Sequence, residues 1–355
     1  MSPGAAAKSD LDPSAKQGAS DVNLPPEVEA ISRECPDISK EHLQRIAGTV
    51  VTIKNEVVIA GLEAVKDVIM SKIVRPILRP DLHKGLYRAV SGILFFGPPG
   101  TGKTSLAKWI AYQAKATFFC VTPSVLVSMF QGESESLIKC LFVMAERLSP
   151  AIIFFDEIDG FIGKRSLKEE ESTLRMKNQL LQAMDGLCTQ EAATVIVIGA
   201  TNRPDALDDA ALRRLQKRIY IPLPDDLAIY HQIKNTLIKH AQDLEICRCD
   251  TACREAIAHT CVLLNYDFES LRTVLIPRVK GFNGSDIRAL CVKAAEILYQ
   301  NVLFSFDGDL DKVPNPSAFG LPTIDHFQKA LSTVRPSTTL DSTTLNQWAS
   351  DFACF

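Results

Sequence analysis

Gly92-Ile-Leu-Phe-Phe96 runs without a break into Gly97-Pro-Pro-Gly-Thr-Gly-Lys103-Thr104. The first five residues read as a short buried strand. The next eight fit the spacing G-x₄-G-K-[ST], and Ser105 to Ala114 follow with helical character. Strand, glycine-rich loop and helix in that order form a phosphate cradle. The glycines let backbone N–H groups turn inward around phosphate oxygens, and the helix N-terminus adds a favourable dipole. Lys103 places a cation on the β- and γ-phosphates, and Thr104 offers a hydroxyl to Mg²⁺. Pro98, Pro99, Gly100, Thr101, Gly102 and Ser105 complete the cradle.

Outward from this loop the chain alternates in character. Thr117–Val121, Ala151–Phe155, Thr194–Ala200 and Arg218–Pro222 are further strand candidates. Helical stretches over about 133–148 and 177–187 separate them, and another over Leu62–Leu78 precedes them. Nearly continuous Ile/Val/Phe runs between helices predict a parallel sheet covered on both faces, hence an α/β fold. After Pro224 the strands stop. Leu227–His240, Thr251–Leu264, Asp267–Val279 and Ser285–Leu303 read as helix, with closing helices over 323–333 and 340–352. The second of these is expected to pack back across the boundary. The expected organisation is a disordered tail over 1–30, a short helical linker over 31–58 and a nucleotide-binding α/β domain over 59–224. A small all-α lid over 225–335 and a C-terminal helix over 336–355 complete it.

Two acidic residues end the third strand. Asp156 is placed to join the Mg²⁺ shell, and Glu157 to polarise a water for attack on a γ-phosphate. Asn202, beyond the next strand, stands at the same sheet edge and can orient that water. Arg213 and Arg214 follow an Ala/Leu helix. A basic run is usually a solvated face; the functional alternative is an arginine supplied to a neighbouring subunit's nucleotide. In that case the active form is a ring with head-to-tail contacts.

Composition bounds the rest. The 355 residues are 46% hydrophobic and 23% charged, which excludes a wholly disordered or fibrous chain. Thirty-nine basic against 42 acidic residues give a net charge of −3. No global basic field then draws the chain onto nucleic acid or anionic lipid, and no basic stripe with interleaved aromatics marks a nucleic-acid motor. No apolar leader or membrane-spanning window is evident, so a cytoplasmic protein is expected. Among its ten cysteines, Cys247, Cys249, Cys253 and Cys261 lie close together. Their spacing differs from paired C-x₂-C zinc sites, so reduced thiols are expected.

The chain resembles AAA ATPases of the katanin, spastin, fidgetin and vacuolar-sorting group from about Ile59 to its C-terminus, and fidgetin-like proteins most. The supporting strings are Ile59-Ala-Gly-Leu-Glu63, Leu78-Arg-Pro-Asp81, Gly92–Thr104 and Ala200-Thr-Asn-Arg-Pro204. Lys217–Pro224, Gly284-Ser-Asp286 and Thr333-Val-Arg-Pro-Ser337 continue the match. The resemblance implies ATP and Mg²⁺ as cofactors and a homohexamer that threads a polypeptide through its central pore. It makes Asp156 and Glu157 the Walker B pair, Asn202 sensor 1, and Arg213 and Arg214 fingers acting in trans. It places Ala60, Gly61, Gly284 and Ser285 at the adenine and ribose, and Met129, Phe130 and Gln131 in the substrate-gripping pore loop.

The resemblance also implies a substrate, with departures. Microtubules, gripped by acidic tubulin tails, are the expected polymer, with a recruiting adaptor as a possible partner. Yet Met129 replaces the usual lysine of the pore loop, and Glu169-Glu170-Glu171 stand in the second pore segment, Lys164 to Arg175. Both make the pore less basic. Disassembly of membrane-associated filaments and a nucleotide-gated scaffold with little hydrolysis are the alternatives. Residues 247–280 are about a dozen longer than the family pattern, as a surface insertion would be.

Overall fold

A computed structural model describes residues 31, 38–83, 90–126, 133–164, 171–187, 194–244, 266–306, 319–337 and 342–353. Four largely apolar runs and the mixed run Lys217-Arg-Ile-Tyr220 become strands: β1 (Gly92–Phe96), β2 (Thr117–Val121), β3 (Ala151–Phe155), β4 (Val195–Thr201) and β5 (Lys217–Tyr220). They form one sheet in the order β2-β3-β4-β1-β5, every pairing parallel. Every residue of β1, β3 and β4 is buried, because both faces of the sheet are covered.

The side chains alternate between two cores. Leu94, Ile153 and Val197 pack with Leu137 and Leu141 of one helix and Leu180 and Met184 of another. Those helices are α6 (Glu133–Arg147) and α7 (Glu171–Leu187), which follow α1 (Lys40–Ala47), α2 (Glu63–Ile69), α3 (Arg75–Leu78), α4 (Lys103–Ala114) and α5 (Pro123–Leu126). On the opposite face Phe95, Ile152 and Ile198 pack with Ile69, Ile73, Ala107 and Ile110. Helix α2 continues into α3 through a π-helical turn, Met70–Val74, inside the single helix expected over 62–78.

The segment 38–58 departs from the expected helical linker. Only α1 is helical there, and its Leu43 and Ile46 are fully buried in the α6–α7 core. Beyond it Cys120 N–H donates to the Thr49 carbonyl at 2.9 Å and Val51 N–H to the Phe118 carbonyl at 2.8 Å. These bonds cover the outer edge of β2, whose backbone groups would otherwise be unpaired. The segment belongs to the α/β body.

A third core lies after β5 and after α8 (Asp209–Arg214), which precedes that strand. It joins α9 (Asp226–Asp243), α10 (Gly284–Ser305) and α11 (Ile324–Leu331) through Ile233, Leu237, Leu290, Ala294 and Phe327. The helix expected over 267–279 is broken into a short turn at Phe268–Ser270, a π turn at Leu271–Leu275 and a 3₁₀ turn at Ile276–Arg278. Pro277 has no N–H to continue the α ladder. The helix expected over 251–264 lies outside the described residues.

Helix α12 (Ser342–Phe352) returns to the sheet. The Trp348 ring meets Phe96 edge-on at 4.5 Å, and Tyr220 Oη donates to Asn346 at 2.8 Å. The closing helix therefore rests against the last residue of β1, beside the glycine loop.

Candidate nucleotide site

The loop Gly97–Gly102 leaves β1 at its carboxyl end. The register sets Phe96 opposite Thr201 of β4, and Phe155 of β3 opposite Gly199. Three neighbouring strands thus deliver the glycine loop, Asp156-Glu157 and Asn202 to one edge of the sheet. Ligands bind at that edge in open α/β sheets.

Within the loop, Lys103 is 8% exposed, and its Nζ donates to the Gly97 and Pro98 carbonyls at 2.9 and 2.8 Å. Burial lowers its pKa from 10.5 to about 8, against an opposing pull from the Asp156 carboxylate. Thr101 Oγ1 donates to the Pro98 carbonyl at 3.0 Å. Thr104 Oγ1 donates to Asp156 Oδ2 at 3.1 Å, so the two groups expected at the metal stand side by side. A hydroxyl and a carboxylate are hard oxygen donors, the set that Mg²⁺ prefers beside phosphate oxygens.

Glu157 is exposed at the end of β3 with φ 52° and ψ 52°, a left-handed conformation that costs a non-glycine residue of order 1–3 kcal/mol. The turn it opens is closed by Gly160 N–H donating to the Glu157 carbonyl at 2.8 Å. Asn202 Oδ1 is buried and lacks a hydrogen-bond partner among the described residues. An unmet buried acceptor costs about 1–3 kcal/mol. It fits a position that takes a water or a substrate hydrogen bond.

The helical region closes the other side. Asn283, 2% exposed, caps α10, and its Oδ1 accepts from Asp286 N–H at 2.8 Å. Asp286 Oδ2 accepts from the N–H groups of Asn283 and Ser337, both at 3.1 Å. Asn283 Nδ2 donates to Ser337 Oγ at 2.9 Å. This cap presses on the glycine loop: Gly100 has φ +73°, and a Cβ there would lie 2.6 Å from Asn283 Cγ. Gln232 of α9 donates to the Gly284 carbonyl at 2.7 Å. Gly61 admits Ala228 of the same helix, which a Cβ at 61 would meet at 2.6 Å. Gly61 and Gly284 thereby meet α9, with Ala60 next to Gly61 in the chain, while Gly100 meets the cap of α10; Ser285 lies beside Gly284, exposed, on the first turn of α10.

Arg213 and Arg214 lie elsewhere. They end α8, whose Arg214 carbonyl abuts Gly92 at the amino end of β1. The glycine loop is four strand residues away, roughly 13 Å at 3.3 Å per residue. Arg214 is engaged within the chain: Nε donates to Asp185 Oδ1 at 2.8 Å, Nη2 pairs with Asp185 Oδ2, and Nη1 donates to the Ala210 carbonyl at 2.9 Å. Arg213 is exposed, with a long 3.4 Å bond to the Asp209 carbonyl.

Met129, Phe130 and Gln131 lie outside the described residues, as do Glu169, Glu170 and the Cys247–Cys261 set. Among the described residues no group of three or more potential metal ligands occurs, and no helix is long and apolar enough to cross a membrane. Sequence reasoning passed over Asp159, whose carboxylate accepts from Thr201 Oγ1 at 2.8 Å and Arg203 Nη2 at 3.1 Å. Its place two residues after Glu157 was the available signal. Asn283 had a local sign too, its N-cap pairing with Asp286, whereas its contact with the remote Ser337 had none.

Residues 93–223 match the family model described as ATPase family associated with various cellular activities (AAA). Spastin of Naegleria gruberi is 36% identical over 329 residues, covering 91% of this chain and 57% of that one. Fidgetin-like protein 1 of Drosophila melanogaster is 39% identical over 279 residues, covering 79% and 48%. The chain spans about half the length of the curated relatives it matches. Among solved structures, the FIGL-1 AAA domain superposes with a TM-score of 0.71 at 32% identity, covering 90% of this chain and 98% of that one. The same domain in complex with ADP gives 0.69 at 33% identity, covering 90% and 98%. A structure described as the basis for katanin self-assembly gives 0.64 at 28% identity, covering 88% and 97%.

Proposed function

We propose, from the premise that this chain belongs to the AAA ATPase family, that it hydrolyses ATP with Mg²⁺ as a ring of identical subunits and uses the cycle to sever or remodel a protein polymer. The observation that carries the chemistry is the convergence of Lys103, Thr104, Asp156, Glu157 and Asn202 at the ends of three adjacent strands.

Lys103 would leave its two loop carbonyls for the β- and γ-phosphates, and Thr104 and Asp156 would hold Mg²⁺. When bound, Mg²⁺ neutralises charge on the phosphate oxygens. Glu157 accepts a proton from a water that Asn202 orients. The water oxygen bonds to the γ-phosphorus as the bond to the bridging oxygen breaks, leaving ADP and phosphate. Arg213 is too far from its own glycine loop to serve it, which supports delivery to a neighbour's γ-phosphate. The self-assembly named in the katanin neighbour supports the ring.

Microtubules are the favoured polymer, by resemblance to the severing group, with Met129, Phe130 and Gln131 gripping the threaded segment. The test of the chemistry is Glu157→Gln. That variant should bind ATP as the wild type does while phosphate release falls by about 10²-fold or more. Near wild-type release would remove Glu157 as the base.

A further inference from the structure

We infer that Asp159 is a positioning residue that fixes the base-bearing turn to the water-orienting strand end; the inference rests on the ATPase reading of this site. Glu157 and Asn202 must hold one water between them, yet each sits beyond the last paired residue of its strand. Strand β3 pairs with β4 through Phe155↔Gly199, and after it Asp156 N–H turns the other way, to the Val121 carbonyl of β2 at 3.0 Å. Among the described residues, no backbone hydrogen bond ties 157–160 to 201–203.

Side chains tie them instead. Both carboxylate oxygens of Asp159 are used across the gap, Oδ1 by Thr201 Oγ1 at 2.8 Å and Oδ2 by Arg203 Nη2 at 3.1 Å. Arg203 N–H donates back to Thr201 Oγ1 at 2.9 Å. The Thr201 hydroxyl gives its one proton to Asp159 and accepts one from the backbone, so its orientation is settled. Thr201 is 1% exposed and the Asp159 side chain 12%, which keeps the bond between them out of bulk water, while the Arg203 side chain, 70% exposed, reaches Asp159 from the solvent side. Residues 159 and 201 flank the two catalytic positions, 157 and 202, from within. Loosening the clasp lets the Glu157 turn and Asn202 drift apart while leaving Lys103 and Thr104 in place.

The experiment is steady-state ATP hydrolysis with a separate ATP-binding measurement on Asp159→Asn, Thr201→Val, the double variant and Thr201→Ser. Misplacement of reacting groups by about 1 Å costs up to about 10²-fold in rate. Asp159→Asn and Thr201→Val should each lower kcat by about ten- to a hundredfold, with KM and the ATP Kd within about twofold of wild type. The double variant should be no slower than the slower single one, because both break one clasp. Thr201→Ser, which keeps the hydroxyl, should restore kcat. Wild-type kcat in Asp159→Asn, multiplied losses in the double variant, or weakened ATP binding in step with kcat would overturn the inference. Should Asp159→Asn not fold, the Thr201→Val and Thr201→Ser pair carries the same test. A wild-type chain that binds ATP without hydrolysing it would instead remove the ATPase reading.

Discussion

The two ends of β1 are finished differently. At the carboxyl end most polar groups are matched inside the chain, Lys103 to loop carbonyls, Thr104 to Asp156, and Asp159 to Thr201 and Arg203, while Asn202 Oδ1 is buried and lacks a partner among the described residues. At the amino end Arg214 is matched to Asp185, and Arg213 stands exposed. One end carries a nearly complete binding and reaction site. The other carries a charge with more to gain from a second molecule than from its own. Two neighbouring arginines are therefore unequal, a distinction their adjacency in the sequence hides.

The largest effect that would break this comparison is loss of Arg213. Arg213→Ala should lower kcat by about 10³-fold, the low end for an arginine acting on a transferred phosphoryl group, with ATP affinity unchanged. Mixing it with Lys103→Ala subunits should recover part of the activity; no recovery at any ratio would place the arginine outside the shared site. Asp185→Asn should cost far less, since it disturbs only the side chain that Asp185 holds.

Gly100→Ala tests the closed end. The left-handed backbone costs an alanine about 1–2 kcal/mol, and crowding against Asn283 costs about 1–3 kcal/mol more. With about half of that cost falling on the nucleotide-bound loop, nucleotide affinity should fall by about ten- to a hundredfold at an unchanged oligomeric state, by calorimetry and sedimentation. Unchanged affinity would mean the cap of α10 does not bear on the loop.

The smallest effect sharpens the electrostatics. Lys103 titrates near 8 because burial disfavours its charged form, and phosphates favour that form. Nucleotide binding above about pH 8 therefore takes up a proton, and Kd should rise by at most about tenfold per pH unit while staying flat below. For the free chain the sign is opposite. A lysine whose folded pKa lies below its unfolded 10.5 weakens the fold at low pH, and stability rises from about pH 8 to 10.5. A flat Kd between pH 7 and 9.5 would show that Lys103 keeps its proton throughout.

What was legible in the sequence follows from how local each feature is. β1, β3 and β4 were readable because each is a nearly continuous apolar run, and the loop because its chemistry occupies eight consecutive residues. The return of the last helix was expected, and Trp348 carries it through its contact with Phe96, while Phe352 stays about half exposed. The clasp was not readable, since Asp159, Thr201 and Arg203 look ordinary until β3 and β4 lie side by side. By contrast, Thr49-Val-Val-Thr-Ile53 is a run of β-branched residues, a strand signature hidden inside the expected helical linker, and it pairs along the open edge of β2. The break at Leu271–Arg278 had a local sign, Pro277, that the apolar spacing around it outweighed.

The strand order has one further consequence, for the chain as it is made. β1 emerges first among the strands, yet both its partners, β4 and β5, come about a hundred residues later. β2 and β3 are neighbours in both sequence and sheet, so they can pair while the ribosome still holds the rest. Ile93 to Phe96 must wait, apolar and unpaired, for the centre of the sheet to be built around them. The nucleotide loop, hung on that waiting strand, takes shape among the last parts of the domain.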